Sequence, residues 1–207
     1  MSTDNNLVTS VEQLEALYGE RMPTSIIKEI DHISDGYRKL IEAAPFVVIA
    51  TSGPGGLDCS PKGDAPGFIR IVDEKTVMIP DRPGNNRLDG FHNLMSDPRI
   101  ALLFIIPGVG ETLRINGRGV VSVDPKLRES FAVNGKPARA VLIVSIESIY
   151  FHCSKAIVRA KMWDPASKIE RSSLPSTGTI IAELSEGKLG GEQYDREAPE
   201  KTKANLY

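Results

Sequence analysis

Ten consecutive residues, "PDRPGNNRLD" from Pro80 to Asp89, hold two arginines, two carboxamides, two prolines and a glycine directly behind the apolar run "TVMI". Arg82 and Arg87 carry planar guanidinium groups that can grip a phosphate or carboxylate with two parallel hydrogen bonds. Asn85 and Asn86 add neutral donors, and Gly84 lets the backbone approach a ligand closely. The following "RLDGFHNLM" can begin a helix whose free N–H groups point back at the loop, which makes the stretch a candidate anion cradle. The plainer alternative is a polar turn, capped by Asn85 or Asn86, with two surface arginines.

A second unusual stretch, "SPKGDAPGF" at Ser60 to Phe68, places Lys62 before, and Arg70 after, a glycine-bearing segment next to the strand-like "IRIVD". Gly63 and Gly67 leave the backbone bare enough to lie against a flat ligand. In "ETLRINGRG", Arg114, Asn116 and Arg118 share one strand face by period two, with Leu113, Ile115 and Gly117 on the other. That face is either a charged rim of a site or a solvated surface with glutamate partners.

Other chemistries find little support. Cys59 and Cys153 have no CxxC partner or companion ligands, so neither a disulfide framework nor a zinc site is expected. His32, His92 and His152 stand singly, and no Ser/His/Asp or Cys/His arrangement is apparent. The net charge of -2 gives no global reason to expect nucleic acid or an anionic membrane. The N-terminus lacks a basic region followed by an apolar one, and no run approaches the roughly 18 apolar residues that span a bilayer. A cytoplasmic protein is the expectation.

These residues need elements to hold them. The 207 residues, 41% hydrophobic and 25% charged, suffice for one core with appendages. "TSVEQLEALYG" reads as a helix capped by Thr9 or Ser10 and stopped by Gly19. "TSIIKEIDHI" and "SDGYRKLIEAA" read as further helices, the latter ended by Pro45. From Pro45 the rhythm becomes that of strands: "FVVIATSG", "FIRIVD", "TVMIPD", "IALLFIIPG", "TLRINGRGVVSVD" and "AVLIVSIESIYFHCSK". With one helical candidate among them, at Leu88 to Asp97, they predict a small antiparallel barrel, not parallel crossover units. After Trp163 the tail offers one short amphipathic candidate, at Thr179 to Leu184, before a polar end expected to be mobile. The organisation is therefore a helical extension over 1–44, a barrel over 45–163 and a C-terminal arm over 164–207.

The ordered succession "SPKGDAPGF", "IPDRPGNNRLD", "DPRIALLF", "PGVGETLRINGRG" and "HCSKAIVRAKMW" resembles the pyridoxamine 5'-phosphate oxidase-like family of FMN-binding split barrels, over roughly Pro45 to Trp163. It is most similar to the bacterial branch with a helical N-terminal extension. The resemblance implies a mainly β (α+β) fold, a six-stranded antiparallel Greek-key split barrel, and a homodimer with FMN at the subunit interface. It implies flavin-edge contacts from Pro66, Gly67, Phe68 and Arg70, and a phosphate held by Asn85, Asn86 and Arg87. Asp81 and Arg82 would lie near the ribityl chain, and Thr112, Leu113 or Arg114 would come from a second subunit.

Two departures limit what carries over. At the phosphate turn the true oxidases have Ser-Arg-Lys where this chain has "NNR", a loss of one charge that Arg82 is expected to restore. Their substrate-gripping Arg and His have no clear counterpart in "HCSKAIVRAKMWDP". The expectation is thus an FMN-dependent oxidoreductase of unknown small substrate, in which Lys62 or Arg70 steadies the reduced flavin. The alternative is a flavin- or haem-binding barrel without turnover, haem requiring His92 or His152 as axial ligand.

Overall fold

The computed structural model describes residues 6–207. The prelude follows its local signals closely. Helix α1 (Val11–Tyr18) begins at Ser10, whose hydroxyl accepts from the Gln13 N–H, and stops at Gly19 with φ of 73°. Helix α2 covers only Pro23–Ile27, short of the helix expected there. The chain turns away because Ile30 is drawn onto the barrel, exchanging backbone hydrogen bonds with Ile149 at 3.1 and 2.8 Å. Helix α3 (Asp35–Ala43) is capped by Ser34 and buries Tyr37 and Ile41, one turn apart on a single face.

Among the described residues, seven strands form one antiparallel sheet: β1 (Phe46–Gly53), β2 (Gly56–Gly63), β3 (Arg70–Asp73), β4 (Thr76–Asp81), β5 (Arg99–Ile105), β6 (Thr112–Ser122) and β7 (Ala140–His152). Their order is β2-β1-β5-β6-β7-β4-β3. The sequence leads one to expect six; the seventh is β2, which carries "GLDCSPKG" in register against all of β1, from Phe46 opposite Gly63 to Gly53 opposite Gly56. Strand β2 escapes sequence patterning because it is an edge: it buries no side chain, and Pro61, which cannot donate to a ladder, is tolerated there. "SPKG" is therefore part of a strand, not of a loop beside one.

The two ends of the ladder, β2 and β3, do not pair with each other, so the barrel is split. Side chains bridge the gap instead: Lys62 of β2 pairs with Asp81 of β4, and Arg82 just beyond β4 pairs with Asp64 just beyond β2. The core comprises the inward side chains of the longer strands, among them Val47, Leu102, Phe104, Leu113, Ile115, Leu142 and Ile149, with Ile41 of α3. Each such burial contributes about 1.5–3 kcal/mol before the entropy of ordering is set against it.

Helix α4 (Asp89–Ser96) connects β4 to β5, and the short α5 (Pro125–Glu129) connects β6 to β7. Past β7 come α6 (Lys155–Arg159), α7 (Thr177–Leu184) and α8 (Gly191–Ala204). Helix α7 matches the expected amphipathic segment. Helix α8 lies in the polar end, where sequence pattern alone suggests no element, and its Asp195 caps α7 by accepting from the Gly178 N–H at 2.7 Å. Among the described residues, no helix is long and apolar enough to cross a membrane.

Candidate functional site

The loop from Arg82 to Leu88 is shaped by its own residues. Asn85 Oδ1 accepts from the Arg87 N–H at 3.0 Å, a local turn typical of asparagine. Asn86 adopts φ of 60°, a left-handed conformation that asparagine tolerates better than most residues. Leu88 then opens α4 without a side-chain cap.

Helix α4 is pinned against the β1–β2 hairpin by one buried polar residue. The Asn93 amide donates to Thr51 Oγ1 at 3.2 Å and to the Gly56 carbonyl at 3.1 Å. Two glycines permit this closeness: a Cβ at residue 53 would stand 2.5 Å from Asn93 Oδ1, and one at residue 90 would stand 2.7 Å from Asp58 Oδ2.

Between this loop, α4 and the barrel lies a cavity of about 480 Å³. Its inner wall is apolar, made by Ile49, Phe91, Leu94, Val121 and Leu142, and its rim carries Lys62, Arg82, Arg87 and Arg139. A second hollow of about 420 Å³ shares Lys62, Arg82, Asn85 and Arg87 and reaches Phe68.

The rim cations have different partners. Lys62 pairs with Asp81 and also lies 5.5 Å from the Phe91 ring centre. Arg82 is the most confined: its Nε donates to Asp64 at 3.0 Å and its Nη1 to the Phe131 carbonyl at 2.7 Å. The Arg82 and Asp64 side chains are only 16% and 7% exposed. Burial pushes the Asp64 carboxyl up, but hydrogen bonds from Tyr207, the Ala65 N–H and Arg82 outweigh it and hold the group below the usual carboxylate range. Arg87 pairs with Asp89 in the open, its side chain 78% exposed. Arg139 donates to the carboxamide oxygen of Asn86.

Of the residues expected at a site, Lys62, Asp81, Arg82, Asn85, Asn86 and Arg87 meet around the first cavity, and Phe68 joins four of them at the second. Pro66 and Gly67 are exposed in the loop before Phe68 and line neither. Arg70 turns elsewhere: it donates to Ser130 Oγ and to the Ser130 carbonyl at 2.9 and 2.8 Å and stacks 3.9 Å from the centre of Phe131. Its charge thus serves the α5 region, not the cavity rim. Arg82 is likewise no spare charge, since Asp64 compensates it. Arg139, absent from the sequence expectation, also stands on the rim, and among the described residues it has no carboxylate partner.

Thr112, Leu113 and Arg114 lie at the opposite end of β6 from the cavity-lining Val121. Seven residue steps of extended chain separate Arg114 from Val121, about 23 Å. Leu113 faces the core, while Arg114 donates to Tyr150 Oη at 3.0 Å. His152 stands beside this group with its Nε2 buried and, among the described residues, unpartnered. His92 lies away from it, in a separate hollow beside Arg87, Asp89 and Asn93.

Similar solved structures include HupZ of Group A Streptococcus, 20% identical over 56% of this chain and 91% of its own, with a TM-score of 0.46. A Clostridium acetobutylicum protein related to general stress protein 26 is 15% identical over 57% of this chain and 86% of its own, with a TM-score of 0.43. An F420 reductase is 20% identical over 58% of this chain and 98% of its own, with a TM-score of 0.41. No curated protein matches the chain. The family model for pyridoxamine 5'-phosphate oxidase matches residues 33–153, from the last turn before α3 to just past the end of β7. With more than half of its length so matched, the chain belongs to the pyridoxamine 5'-phosphate oxidase family.

Proposed function

We propose that this protein binds FMN in the cavity under the Arg82–Leu88 loop and acts as a flavin-dependent oxidoreductase on a small substrate. The observation that carries the proposal is the two-part lining of the 480 Å³ cavity, apolar within and cationic at the rim. Its volume lies in the usual range for small-ligand sites. An apolar wall suits a planar ring system, and a rim of guanidinium and carboxamide donors suits a phosphate tail. Asn85, Asn86 and Arg87 would supply phosphate donors, while Lys62 and Arg82 would border the chain between phosphate and ring. When bound, FMN supplies reversible two-electron chemistry. The chain's own part is to bind it, orient it and limit water access.

The working unit in this proposal is a homodimer. Thr112 and Arg114 are too far along β6 to reach the cavity of their own chain, so a second copy would bring them to it. Leu113, with its side chain in the core, could offer only its backbone.

Purified protein tests the reading directly. Flavin absorption bands, with a released ligand of FMN mass, are the expected result. FMN should also bind the apoprotein more tightly than riboflavin. A Soret band, or no cofactor together with no affinity for added FMN, would refute the proposal.

A further inference from the structure

We infer that Arg139, oriented by Asn86, is the principal anchor for the anionic group of the cavity's ligand. The inference rests on the cavity being a ligand site, as proposed above, and assigns to it a residue outside the family-like motifs. Four cations stand on the rim, and their charges are not equally available. Lys62 is paired with Asp81, Arg82 with Asp64 and Arg87 with Asp89. Asp58 also lines the cavity and adds negative charge near Arg87. An incoming anion must compete with a carboxylate for each of these three.

Arg139 differs from them. Among the described residues it makes no ion pair, and its side-chain partner is the neutral carboxamide oxygen of Asn86. One guanidinium donor is used there, and the rest of the fork keeps its full charge and its donors for a ligand. The Asn86 carboxamide, with its oxygen on Arg139, retains an NH₂ group of the kind that binds the same oxygens.

The mounting is rigid. The Arg139 N–H donates to the Asp81 carbonyl at 3.0 Å, where the β4–β7 ladder begins, and the preceding Ala138 is fully buried. The side chain therefore starts from fixed backbone at the cavity mouth. A phosphate monoester, with two charges and three equivalent acceptor oxygens, is the chemical class that best uses a guanidinium fork beside carboxamide donors. That phosphate could belong to the cofactor or to a second ligand.

The test titrates apoprotein with FMN and with riboflavin, following flavin fluorescence, and separately follows thermal stabilisation by inorganic phosphate. In Arg139→Gln, FMN affinity should fall about 10- to 100-fold, the range for a lost charge-assisted bond, while riboflavin binds as before. Arg87→Ala should lose less, since its guanidinium already serves Asp89. Unchanged FMN binding with phosphate stabilisation abolished would keep Arg139 as the anchor and assign the phosphate to a second ligand. If both measurements match the wild type, or if riboflavin and FMN weaken equally, the inference fails. If the wild type binds no flavin at all, the functional proposal fails by itself, and the phosphate arm still decides the role of Arg139. Should Arg139→Gln not fold, Arg139→Lys replaces it, with a several-fold loss expected for FMN and none for riboflavin.

Discussion

The two ends of the barrel handle positive charge in opposite ways. At the cavity end three of four rim cations are matched by carboxylates, and one pair, Arg82 with Asp64, is largely withdrawn from water. At the far end Arg114 and Lys28 lie over aromatic rings, Tyr150 at 5.5 Å and Phe151 at 4.8 Å, and neither makes an ion pair among the described residues. A carboxylate cancels charge, whereas a ring's quadrupole cradles it without cancelling it. At the cavity end every rim cation but Arg139 is thus held in an ion pair, whereas the far end keeps a diffuse positive field that His152 feels.

The largest expected effect comes from breaking the confined pair. Asp64→Ala leaves the Arg82 guanidinium partly buried without its counter-ion and should destabilise the fold by about 3 kcal/mol, the low end for a buried pair because Arg82 retains some water access. Urea denaturation measures it, and a loss under about 1 kcal/mol would mean that the pair behaves like a surface bridge.

Next comes the polar anchor of α4. Asn93→Ala removes two hydrogen bonds and strands the Thr51 and Gly56 groups that received them, at about 2 kcal/mol. Amide hydrogen exchange should quicken in α4 and the β1–β2 hairpin and leave β6 and β7 unaffected. Uniform quickening throughout the barrel would contradict a local anchor.

At the far end, losing a cation should matter far less to stability. Arg114→Met forfeits its place over Tyr150 at about 0.5–1 kcal/mol. It should nevertheless raise the His152 pKa, which burial, Arg114 and Lys28, in that order, hold below 6.5. An NMR pH titration of the histidine resonances reads this shift, and an unmoved or lowered value would contradict the proposed field.

The smallest effect follows from the same histidine. Its proton is bound less readily in the folded chain, so the unfolded chain takes it up first as pH falls. Stability should therefore decline as pH drops through about 6.5 and level off below the folded value. His152→Gln should flatten that part of the profile; an identical slope in the variant would assign it to other groups.

Legibility in the sequence followed the range of the forces involved. Ser10 and Gly19 act on neighbouring backbone, so the boundaries of α1 were readable. The alternation in "LRING" announced the two faces of β6, with Leu113, Ile115 and Gly117 inside. Strand β2 was not readable, because an edge strand lacks the buried side chains that make a pattern. Six cavity residues came from the two unusual motifs, "SPKGDAPGF" and "PDRPGNNRLD". Arg139 could not, because its partner Asn86 is 53 positions away and a lone arginine before a strand has no signature. The commitment of Arg70 to Ser130, 60 positions on, was hidden for the same reason.

Trp163 has an optical consequence. It is the chain's sole tryptophan, and its indole N–H donates to the Val109 carbonyl at 2.7 Å, so the base of the C-terminal arm is moored to the turn between β5 and β6. Excited selectively over the tyrosines, it reports on that mooring. Detachment of the arm would move the indole into water and shift its emission to the red.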